Sequence, residues 1–98
     1  MQCVSLEEVR SNIDRIDAQM VRLLAERGGF VKQAARLKQS AAEIPAPQRV
    51  AQVLARVRKL AEDAGADPAV VEATWRAMIA AFIDAERIEH ASLPSGSQ

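Results

Sequence analysis

"SLEEVRSNIDRIDAQMVRLLAERGGFVKQAARLKQ", Ser5 to Gln39, is the stretch on which the fold turns. Leu6, Val9, Ile13, Ile16, Met20 and Leu23 follow one another in alternating steps of three and four, the seam of a coiled-coil-like helix. The same phase continues through Phe30, Ala34 and Leu37. Ser5 as N-cap and Glu8 three residues on form a capping box that opens the helix. Gly28-Gly29 oppose continuity, at about 1 kcal/mol each in a helix interior, and a break there would give a helical hairpin. The phase is kept across the pair and no Pro or cap follows, so the pattern predicts one helix from about Ser5 to Gln39. Such a helix is about 50 Å long, against a radius of gyration of about 13 Å for a compact chain of this size. Two shorter helices cannot cover a seam of that length. A second copy of the chain can, so the expected architecture is an all-α, intertwined homodimer with three helices per chain.

Composition agrees with a helical reading. The chain is 49% hydrophobic but only 3% aromatic and has no Tyr, which suits helices better than a sheet. Thirteen basic residues balance 13 acidic ones, so no global field draws nucleic acid or a membrane surface. The basic residues form no single exposed stripe and aromatics for base stacking are nearly absent. No apolar run reaches transmembrane length, and "MQCVSLEEVR" lacks the pattern of a secretion signal. The single cysteine, Cys3, has no intrachain disulfide partner, which fits a cytoplasmic protein. One Cys and one His do not make a metal site.

Beyond the first helix, "QSAAEIPAPQ" reads as a loop punctuated by Pro45 and Pro47. A second helix is expected from Pro47 to Ala64, with Val50, Val53, Leu54, Val57 and Leu60 inward and Gly65 ending it. Asp67 as N-cap and Pro68 at the first turn start a third helix, carried to about His90. The chain is expected to be a single domain over 1–98, ordered over about 5–90, with residues 91–98 as a flexible tail.

The third helix contains an anomaly. In "WRAMIAAFIDAERIEH", Trp75 to His90, apolar residues recur at Trp75, Met78, Ile79, Phe82 and Ile83, and the next position on that stripe is Glu86. The first helix behaves likewise: after Leu23 the seam meets Arg27, and Lys38 lies eleven residues further on nearly the same azimuth. Long basic side chains can snorkel from the edge of an apolar stripe. Three charges on apolar faces point instead to a cluster whose members need one another. Arg10 lies about 25 Å from Arg27 along the helix, so one small ligand meets both only if Arg10 comes from an antiparallel second copy. Arg49, after "IPAP", is a fourth basic candidate, whereas Arg22, Arg36, Arg56, Arg58 and Arg76 read as surface residues. Several cations around one acid in an apolar setting suit a small dicarboxylate, since Arg forks grip carboxylates and Lys is a point donor. There is no nucleophile triad, Gly-rich phosphate loop or paired carboxylates, so the fitting chemistry rests on confinement and electrostatic preorganisation.

These residues resemble the all-helical (type II) chorismate mutases over roughly Leu6 to His90. The resemblance rests on "VRSNIDRIDAQMVRLLAER", on "VKQAARLK", on "IPAPQRV" and on the placement of Glu86. The run "VKQAARLKQSAAEIPAPQRV" looks most like the isochorismate pyruvate lyase branch. The family consists of intertwined dimers acting without cofactor or metal on chorismate or isochorismate, in aromatic amino acid or salicylate biosynthesis. The resemblance implies that Arg27 binds one substrate carboxylate and that Arg10 of the second subunit binds the other. It implies that Lys38 bonds the ether oxygen, that Arg49 joins the active site, and that Ile83 lies against the substrate. Glu86 falls where many members have a Gln that donates to the same oxygen.

Two departures from the family pattern stand out. Acids that recognise the 4-hydroxyl of chorismate are replaced by Ala46 and Val50, which favours isochorismate. Glu86 must be protonated to donate as Gln does. The resemblance thus implies a chorismate mutase, with isochorismate pyruvate lyase as the alternative. A non-catalytic helical dimer or regulatory module would instead leave Arg27, Lys38 and Glu86 on the surface.

Overall fold

The computed structural model describes residues 2–93. Three α-helices follow in order: α1 (Leu6–Leu37), α2 (Pro47–Ala64) and α3 (Pro68–Ala91), with a 3-10 turn at Ala41–Glu43 between the first two. Among the described residues there is no strand. α1 runs unbroken through Gly28 and Gly29, as its seam predicts. A Cβ added at Gly29 would meet nothing within 4 Å, so no packing contact requires glycine there. The expected tail begins within the described chain only as Ala91 to Leu93; residues 94–98 lie outside the described residues. By its contacts the chain divides into two compact units, with the boundary between Phe30 and Val31.

The N-terminal unit is the long first part of α1 with its cap. Ser5 Oγ accepts the Glu8 backbone N–H at 3.1 Å, the first half of the capping box. The Glu8 carboxylate turns back to the N–H of Val4, at 3.0 Å, one residue before the cap. Asn12 donates to the Glu8 carbonyl at 2.9 Å. Along the seam Leu6, Val9, Ile13, Ile16, Met20 and Leu23 are between 40% and 63% exposed, a continuous uncovered apolar stripe.

The C-terminal unit has the core. α2 and α3 are joined by only Gly65 to Asp67, and such a short connection makes neighbouring helices a hairpin. Gly65 ends α2 at φ 74°, the left-handed conformation a Cβ disfavours. The Asp67 side chain accepts the Ala69 N–H at 2.9 Å and starts α3. Val53, Val57 and Ile79 form the buried centre, with Val50, Leu54, Val71, Trp75 and Ile83 packed against it. Leu60, expected inward, is 49% exposed, and Ala61 is buried in its stead. A methyl side chain lets a neighbouring surface approach closely, while the bulkier Leu lies at the edge of the stripe.

Glu72 ties the hairpin electrostatically. It accepts from Arg76 one turn later at 2.7 Å and from Arg58 of α2 at 2.5 Å. The Arg76 hydrogen bond first, then that of Arg58, hold its carboxyl below the ordinary Glu value.

Candidate active site

The site begins where α1 ends. Lys38, just past the last helical residue, donates its backbone N–H to the carbonyls of Ala34 and Ala35, at 3.2 and 3.3 Å. The chain then turns under control of Glu43, whose carboxylate accepts the backbone N–H groups of Gln39 and Ser40, at 2.5 and 3.0 Å. Ser40-x-x-Glu43 is itself a capping pattern, a signal within a stretch that reads as plain loop. Ile44 is buried and anchors the far side of this turn.

Across from this corner stands the last part of α3. Glu86 is the sole charged residue buried among those described, 8% exposed. Its carboxylate is ion-paired with the Lys38 ammonium. The side chains keep only 21% (Lys38) and 10% (Glu86) of their exposure, so this is a half-buried pair rather than a surface one. Either charge alone at that depth would be costly. The pairing also answers why a carboxylate sits on an apolar stripe, because Glu86 has a cation of its own. Two further contacts join the same corner: Glu89 accepts from Arg36 Nε at 2.8 Å, and His90 Nε2 lies 3.1 Å from the Lys38 carbonyl. Arg36, read from sequence as a surface residue, is 57% exposed yet tied to α3.

Ile83, one turn before Glu86, packs against the Val53–Val57–Ile79 cluster and gives the site an apolar flank. Arg49 is exposed on the first turn of α2 and shares no hydrogen bond or ion pair with Lys38 or Glu86. Ala46 caps α2 without a side-chain bond, and Val50 is turned to the core. Arg10 and Arg27 belong to the N-terminal unit, Arg10 exposed and Arg27 half-buried. Lys38 and Glu86 are in direct contact within the C-terminal unit. Among the described residues no three His, Cys, Asp or Glu side chains converge as metal ligands, and no helix is long and apolar enough to cross a membrane.

A cation and an acid meeting beside apolar side chains can polarise one oxygen of a bound molecule. The ammonium donates to it, and the acid donates as well when protonated. No side chain is arranged there as an activated nucleophile. Residues 9–87 match the sequence profile of the family described as chorismate mutase type II. The chain is also similar to the isochorismate pyruvate lyase of Pseudomonas aeruginosa, 42% identical over 88 residues that cover 90% of this chain and 86% of the relative.

Proposed function

The chain belongs to the type II chorismate mutase family, and on that premise we propose that it is an isochorismate pyruvate lyase. In this reaction the ether C–O bond breaks as a ring hydrogen moves to the methylene carbon of the enolpyruvyl group. Pyruvate leaves and the ring becomes that of salicylate. Electrons circulate within one molecule, so no acceptor or co-reactant is needed. The enzyme's task is to hold the enolpyruvyl arm over the ring and to stabilise negative charge growing on the ether oxygen.

The observation that supports breaking the ether bond at this site, a step common to the lyase and the mutase, is the Lys38–Glu86 pair. Lys38 donates to the ether oxygen, and Glu86 is its neighbour at the same point. Arg27 grips one carboxylate of the substrate and Arg10 of the partner subunit the other; Arg49 supplies a further cation and Ile83 an apolar wall. Ala46 and Val50 favour the isochorismate ring, since neither can bond a 4-hydroxyl. The similarity to the Pseudomonas lyase supports the same choice. A second reading, conversion of chorismate to prephenate, is supported by the matched family's own description and uses the same groups on the same ether oxygen.

The homodimer is part of the proposal. The exposed stripe on α1 is the kind of surface that a second α1 buries, and a cytoplasmic location suits a chain with one cysteine. The deciding experiment offers both acids side by side, without added metal or cofactor, and identifies the products. Salicylate with pyruvate, formed faster than prephenate, is expected. Prephenate alone would transfer the assignment to the mutase, and turnover of neither acid would sink both. A carboxylate can only accept whereas an amide N–H donates, so Glu86→Gln, which puts a permanent donor beside Lys38, should raise the rate.

A further inference from the structure

We propose that His90 positions Lys38. The inference deepens the proposed function, because it takes Lys38 as the donor to the ether oxygen, but the contact on which it stands is independent of substrate.

A helix leaves its last carbonyls without intrahelical partners. At the end of α1 the Lys38 N–H is shared between the carbonyls of Ala34 and Ala35, and the chain then bends away into the 3-10 turn. The Lys38 carbonyl faces His90 Nε2 at 3.1 Å. A carbonyl oxygen can only accept, so Nε2 has the proton and the ring acts as donor. His90 therefore serves as a C-terminal cap delivered from another helix.

Its placement on α3 makes this more than a tie between elements. Glu86 and His90 are four residues apart, one above the other on a single helical face. One takes the Lys38 ammonium and the other its carbonyl, so the residue is held at both ends from one turn of α3. Between them Glu89 holds Arg36, two residues earlier on α1. A lysine side chain has four rotatable bonds and wanders unless its root is fixed. The Glu86 contact fixes the tip in one orientation, but a substrate oxygen must share that tip. While it does so, the His90 bond continues to hold the backbone from which Lys38 reaches.

The test compares His90→Gln with His90→Leu in the full-length chain. The Gln side-chain amide places a donor near the position of Nε2, while Leu has similar bulk and no donor. We expect His90→Leu to lower kcat roughly tenfold with little change in KM, the signature of a misaimed group rather than a weakened grip. His90→Gln should recover most of that loss. In isotope-labelled protein, the backbone carbonyl carbon of Lys38 should shift in His90→Leu and stay near the wild-type position in His90→Gln. Circular dichroism melting of the two variants should be alike, which separates positioning from folding. Wild-type kcat in His90→Leu, or a Gln variant as impaired as Leu, would overturn the inference. If the wild type turns over neither isochorismate nor chorismate, the proposed function fails, and the Lys38 carbonyl shift then decides the positioning by itself.

Discussion

The N-terminal unit and the α2–α3 hairpin are written in the same apolar code, yet they meet opposite fates. Val53, Val57 and Ile79 stand at helical spacing and are at most 9% exposed. Ile13, Ile16 and Met20 stand at equally regular spacing and are 44–50% exposed. Periodicity thus declares that a face is to be buried but not by what. In the hairpin, a short linker supplies the partner from the same chain. On the first part of α1, the stripe stays exposed. The charged residues sharpen the contrast. Glu86 lies in the hairpin unit and has its counter-ion, Lys38, in that unit, whereas the proposed role of Arg10 needs a second copy.

The largest expected effect is at the uncovered stripe. Ile13→Glu with Ile16→Glu would force carboxylates into the seam of the proposed dimer, at a cost on the order of several kcal/mol per charge. Sedimentation should then report a monomer for the variant and the proposed dimer for the wild type, and activity should vanish. A double variant that keeps the wild-type mass would break the comparison, since the stripe would then be solvent-facing by design. Next comes Lys38→Ala, expected to lower kcat by about 100-fold to 1000-fold, the usual effect of losing one preorganised donor. Full activity in that variant would remove the site from the hairpin unit. Ile79→Ala should cost about 2–4 kcal/mol of stability, read from urea unfolding, by opening a cavity in a covered face. The same truncation at Val21, which is 64% exposed and off the seam, should change almost nothing.

The smallest effect is electrostatic. Because Glu72 is held below its ordinary value in the folded chain, its bonds to Arg76 and Arg58 contribute fully above the unfolded Glu value. That contribution fades as the pH falls through the lowered folded value. Glu72→Gln should therefore be slightly less stable than wild type at neutral pH, and the difference should close in acid. A gap that persists or widens in acid would contradict the assignment.

Much of this was legible in the residues. Pro47 and Gly65 bracket α2 because one fits a first turn and the other a left-handed exit, and Asp67-Pro68 opens α3 for the same kind of local reason. Glu86 announced itself by breaking a stripe, and Lys38 by falling in phase with a seam. What was not legible is set by tertiary approach. Leu60 and Ala61 sit side by side on α2, and only the closeness of neighbouring packing decides that the smaller one is buried. His90 and Glu89 belong to no apolar period, and their partners, a backbone carbonyl and an Arg that reads as surface, leave no trace in spacing. Glu43 is the intermediate case, since its capping pattern was present but lay within a Pro-rich stretch that reads as loop.

The three-residue link between α2 and α3 bears on how the protein is made. Contacts between helices joined so closely are short in sequence, and such contacts form early, on the microsecond to millisecond scale. In the proposed homodimer, the hairpin can therefore be complete before the α1 stripe meets a second chain, an encounter whose rate depends on concentration. Refolding should show a fast phase indifferent to dilution and a slower one that lengthens with it. On the proposed assembly, a freshly made chain would fold its core alone and acquire its full active site only on meeting its like.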